Sequence, residues 1–153
     1  MLFRLFSKYS KKYCDSSHNY IIGQDSKIWD WVTNPKGWSG EVEIEPDKKD
    51  LDALGLAGET SMYIIEWNTQ VLDSTNKTIF EGDILEFDIK KKEHAEPQKL
   101  IGVVRYNKKL GAWHIKCQEN TYLLTPALEK SMIGLPKIVG QTLITVLPHG
   151  MQL

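Results

Sequence analysis

The chain has 153 residues, 41% hydrophobic and 25% charged, the composition of a protein that buries its own core and far from the apolar-poor, charge-rich range of disorder. Nineteen basic residues against 20 acidic ones leave a formal net charge of −1, so no long-range field draws the chain to duplex phosphates or anionic membranes. Two cysteines without motif spacing, Cys14 and Cys117, argue against a disulfide framework or structural zinc and for a reducing cytosol.

The opening Met1–Phe6 is too short and too broken by charge for a signal peptide, and no stretch approaches the roughly 18 apolar residues of a membrane helix, so neither secretion nor spanning is expected. Phe3 to Phe6 reads as a first strand with Arg4 outward. Tyr20 to Ile22 and Ile28 to Val32 read as the next two, divided by the turn-forming Gly23-Gln24-Asp25-Ser26, and Asn34 to Gly37 is a loop. Val42 and Ile44 alternate with glutamates until Pro46 closes the strand. Over 47–56 the spacing predicts a short helix capped by Asp50, with Leu51 and Leu54 on one side and Gly55 or Gly58 at its end.

Met62 to Trp67 is a β-rich apolar run, Asp73 to Lys77 a polar turn, and Thr78-Ile79-Phe80 leads into Glu81-Gly82-Asp83, where Gly82 can take a positive φ. Leu85, Phe87 and Ile89 then alternate with Glu86 and Asp88, which predicts a strand with one apolar and one acidic face. A charged hairpin loop follows from Lys90 to Gln98. Strands are expected at Leu100 to Tyr106 and at Trp113 to Cys117, completing a meander, with a short helix from Thr125-Pro126 to Gly134 and a last strand from Ile138 to Leu147. Many short strands with turn signals every ten residues or so make the fold mainly β, and a small barrel is preferred to a sandwich.

The stretch from Trp67 to Leu85, with Asp73, Lys77-Thr78-Ile79-Phe80 and Glu81-Gly82-Asp83-Ile84, resembles the hallmark of the YopX family of phage and prophage proteins. Phe3-Arg4-Leu5-Phe6-Ser7-Lys8, Gly102-Val103-Val104-Arg105-Tyr106 and Ile138-Val139-Gly140-Gln141 are similar to further family segments, in the same order. Gln70 and Asn76 stand where the family usually has glycine and Asn68 where it has tyrosine, so the first turn is expected to differ in shape. Length and composition fit a single domain over 1–153, and the resemblance implies an SH3-like barrel core (61–147) with N-terminal strands and a short helix (1–60) packed on it. It also implies a bacterial cytoplasmic setting and self-assembly, and it brings no catalytic residues to carry over.

Glu81 and Asp83 flank a glycine as an acid/base or metal pair would, but an aspartate in a turn ordinarily binds turn backbone, so Glu81, Gly82 and Asp83 are read as structural. The four histidines, His18, His94, His114 and His149, have no ligand spacing and are read as surface residues. Cys117 is read as core; no metal, cofactor or catalytic site is expected. Five tryptophans are the compositional excess. Trp29 and Trp31 share a strand face: they fill a core or an interface, or, on an open face and with Trp38, stack on bases or receive a peptide. Lys90 to Lys92 and Lys108-Lys109 fall in the two meander loops, as a solvated rim or, placed near one another, as a basic face. The function expected is non-enzymatic protein–protein binding, self-association included, with no membrane partner. The alternative is a single-stranded nucleic-acid-binding module using Trp29, Trp31, Trp38, Lys91 and Lys108.

Overall fold

The structure, a computed structural model, describes residues 2–15, 19–23, 27–33, 39–59, 61–93, 95–124 and 129–144. Among these residues it is mainly β, with twelve strands and one short helix. The chain divides into two compact units, Arg4–Ile65 and the combination of Met1–Phe3 with Glu66–Leu153.

In the Arg4–Ile65 unit, β1 (Phe3–Ser7, its first residue outside the unit) pairs antiparallel with β2 (Lys12–Tyr13). Phe6 meets Tyr13 edge-on at 5.3 Å, and Arg4, expected outward, has its guanidinium 4.5 Å from the centre of the same ring. β3 (Asn19–Ile22), β4 (Ile28–Thr33) and β5 (Ser39–Glu43) form a three-stranded antiparallel sheet. Period-2 alternation in β4 puts Ile28 and Asp30 on its buried face and Trp29 on the other. The helix α1 (Lys48–Ala53) buries Leu51, as its spacing predicts. Its cap, however, is Asp47, whose Oδ1 accepts from the Asp50 N–H at 2.8 Å, so Asp50 is the third helical residue instead of the cap. Gly55, at φ +78°, ends the helix.

In the larger unit, β6 (Tyr63–Leu72, whose first three residues belong to the smaller unit) turns back into β7 (Thr78–Phe80). Then β8 (Asp83–Ile89), β9 (Gln98–Asn107), β10 (Ala112–Lys116) and β11 (Thr121–Leu123) follow as an antiparallel meander. The last strand, β12 (Met132–Gln141), returns to flank β8, giving the order β11-β10-β9-β8-β12. The alternation of β8 is realised as predicted: Leu85, Phe87 and Ile89 are buried, and Glu86 and Asp88 are half-buried. These three join Ile79, Val104, Ile115, Cys117, Tyr122, Leu124 and Met132 in one apolar cluster. Each such aliphatic or aromatic side chain contributes about 1.5–3 kcal/mol by leaving water.

Several expected boundaries move. No helix ends at Gly134, because 129–131 is irregular and β12 begins at Met132, six residues before the strand expected there; β12 also ends at Gln141. Residues 125–128 and 145–153 lie outside the described residues. The unexpected β11 is only three residues long and pairs with β10, too short to leave a periodic signal. Gln70 and Asn76 take φ of +63° and +67°, so the expected change of turn shape gives way to the left-handed backbone a glycine would supply.

Candidate functional site

At Glu81-Gly82-Asp83 the chemistry is that of a fastening. Asp83 is fully buried and its Oδ2 accepts from the Phe80 N–H at 2.8 Å. Gly82, at φ +83°, donates to the Val104 carbonyl at 3.0 Å, while its own carbonyl accepts from the N–H and the Oγ1 of Thr142, both at 2.9 Å. A Cβ at this position would collide with the carboxylate of the buried Glu66. Glu81 is half-buried and accepts a long bond, 3.5 Å, from the Trp67 N–H. One turn therefore ties β7 to β9 and to the chain just after β12.

Asp73 is a second fastening, which sequence reasoning described only as a polar turn. Its Oδ1 accepts from Thr75 N and Oγ1 at 2.8 Å and from Lys77 N at 2.9 Å, and its Oδ2 accepts from Ile138 N at 3.1 Å. Burial alone would raise the carboxyl's pKa, but the bonds from Ile138, Lys77 and Thr75 outweigh it and hold the value at about 2. The turn after β6 is thereby pinned along the outer edge of β12, where Ser74 N also donates to the Pro136 carbonyl at 2.8 Å.

Beside that pin, β12 presents large apolar side chains to solvent. Its register on β8 shifts between Ile133 and Lys137 and again between Ile138 and Gly140. Leu135 and Val139 lie in those two irregular stretches and are 50% and 45% exposed, next to Ile133 at 44%. Bulges re-aim side chains away from the regular pleat. The result is an apolar row on the edge strand of a five-stranded sheet.

Of the residues expected to bind, Trp29 is half-buried on β4; the side chain of Trp31 and all of Trp38 lie outside the described residues. Lys91 and Lys108 are both exposed, but they do not come together. Ile89 pairs with Gln98 and Asn107 with Ala112, so Lys91 follows one end of the β8–β9 pair and Lys108 sits at the other end of the ten-residue β9, about 30 Å away at strand rise. Successive turns of a meander alternate ends, which rules out the shared basic face. Lys108 has aromatic neighbours of its own: Tyr106 and Trp113 are cross-strand partners whose rings meet edge-on at 5.1 Å. The strand pairing that joins them was legible in the hairpin, but the accompanying exposure of Tyr106 was not.

His114, expected at the surface, is half-buried in β10 and its pKa is lowered by burial, then by Lys116 and Arg105. Cys117 is in the core and burial raises its thiol pKa, as a structural cysteine requires.

The smaller unit has an open groove of about 1070 Å³ with an acidic lining. Of its carboxylates, Glu43 is held by Lys27 at 3.2 Å, Glu45 by Ser61 Oγ and Met62 N, and Asp47 serves as the helix cap. Glu59 pairs with Lys8 at 2.8 Å. Among the described residues no three histidines, cysteines or acids converge as metal ligands, and no helix is long and apolar enough to cross a membrane. Nearby, Tyr20 and Tyr63 are each pushed up to about 12, first by burial and then by the charge of Cys14; Asp30 adds to the shift at Tyr20 and Glu45 to that at Tyr63.

In comparison with known proteins, a family model described as YopX protein matches residues 2–133. No curated protein matches the chain, and no solved structure does.

Proposed function

Because the chain belongs to the YopX family, we propose that it is a non-enzymatic phage or prophage accessory protein of the bacterial cytoplasm that acts by binding protein, self-association included. In this reading the larger unit is an SH3-like barrel whose Glu81-Gly82-Asp83 turn launches the meander. The observation that carries the proposal is the row Ile133, Leu135 and Val139 on the edge strand β12. Apolar groups gathered on a sheet edge cost solvation free energy when bare, and covering them is what a partner supplies. The pin at Asp73 and the missing N–H of Pro136 reduce backbone pairing along the middle of that edge, so side-chain packing carries the contact.

The test is light scattering with a host-lysate pull-down, using the wild type and the double variant Leu135→Lys/Val139→Lys. The wild type should exceed monomer mass or retain a defined partner, and the double variant should lose that association while keeping its circular dichroism. A wild type that is strictly monomeric and retains nothing ends the proposal.

A further inference from the structure

From Pro97 to Gln118 the chain carries Lys99, Arg105, Lys108, Lys109 and Lys116 and no carboxylate, within a molecule of net charge −1. This run is the β9–β10 hairpin. Lys99 is engaged by Glu86 at 3.2 Å near the far end of β9, and Lys116 is at the far end of β10. Lys108 and Lys109 therefore dominate the tip, both exposed. The Asn107 Oδ1 accepts from the N–H groups of Lys109 and Leu110 at 3.0 and 3.2 Å, which sets the turn before any ligand arrives.

Tyr106 lies beside these lysines, 47% exposed, its ring supported from below by Trp113, which packs on the core cluster. Leu110, 69% exposed, extends the apolar surface of the tip. On adjoining elements, Glu81 accepts from Trp67 N, and Glu129 accepts from Leu123 N at 3.1 Å and Ser131 Oγ at 2.8 Å. A preset turn thus presents an aromatic face next to two lysines on a hairpin that carries no carboxylate of its own.

We propose that the tip of the β9–β10 hairpin binds single-stranded nucleic acid, with an unstacked base on Tyr106 and backbone phosphates on Lys108 and Lys109. A single strand offers both groups at once, whereas a duplex hides its base faces and an acidic peptide has none. Arg105 projects from the opposite face of β9 and adds only to the local positive field. The surface is distinct from the β12 row, so either proposal can fail alone.

Fluorescence anisotropy of the full chain with a labelled oligothymidylate of about 20 nucleotides, longer than one such site, tests it. Binding should weaken with salt between about 50 and 200 mM, and Lys108→Glu/Lys109→Glu should reduce the log–log slope by about 1.4, the share of two phosphates on a single strand. Tyr106→Ala should weaken binding at least about fivefold with the melting transition retained, and Tyr106→Phe should restore it. Lys91→Glu/Lys92→Glu, beyond the far end of β9, should change affinity less than about twofold, the loss of a weak surface field. The proposal is overturned if the wild type fails to bind at low salt, if both lysine pairs matter equally, or if a duplex binds as well as the single strand.

Discussion

Among the described residues the larger unit buries one extensive apolar cluster, and the smaller one buries a few apolar side chains beside polar ones. The larger unit's strands alternate strictly enough to gather ten apolar residues into one cluster, from Ile79 to Met132. Among the described residues of Arg4–Ile65 the buried apolar side chains are Leu5, Phe6, Ile28 and Leu51, beside buried Ser7 and Asp30 and the shielded Tyr20 and Tyr63. Fewer buried apolar groups gain less from leaving water, and each buried polar group depends on keeping its partner. Stability should accordingly concentrate in the β8–β10 meander.

Four measurements break or sharpen that contrast. Leu85→Ala, at the centre of the cluster, should cost about 3–5 kcal/mol in urea unfolding, and Ile28→Ala about 2 kcal/mol. Equal costs would erase the distinction. Asp73→Asn should come next, at about 2 kcal/mol near neutral pH. The Asp73 pKa is depressed from its ordinary value of 3.8 to about 2, so its contribution is full above 3.8 and disappears as pH falls through about 2. Wild type and variant should therefore converge in acid, which unfolding curves taken from pH 6 to pH 2 will show. A gap that stayed constant would mean that Asp73 acts by shape instead of charge. In the smaller unit, Asp47→Ala should cost about 1 kcal/mol through the lost cap, while Asp50→Ala costs less, read from the same melts. The smallest effect is a gain: Gln70→Gly should add about 0.5 kcal/mol, because φ +63° strains a side-chain-bearing residue, offset in part by a freer unfolded chain.

The sequence was most readable where one period held over several residues. Leu85, Phe87 and Ile89 spelled out their strand and its buried face, and Glu81-Gly82-Asp83 announced its turn. It was least readable where pairing broke its own rule. The exposure of Leu135 and Val139 comes from bulges set by β8, and the short β11 exists because β10 offers it an edge. Of the candidate binding residues, Lys108 has Tyr106 and Trp113 on its own hairpin, aromatic neighbours that follow from the strand pairing.

What the amino-acid order determined alone was local: strand periodicity, turn chemistry, family kinship and the absence of a long-range charge bias. Those follow from interactions between residues a few positions apart. Only the tertiary structure decided that Asp73 reaches Ile138, that two lysine clusters fall at opposite ends of β9, and which apolar groups remain bare. Each of these depends on strands distant in the chain meeting in a particular register, and a shift of one residue in that register would turn every side chain to the other face.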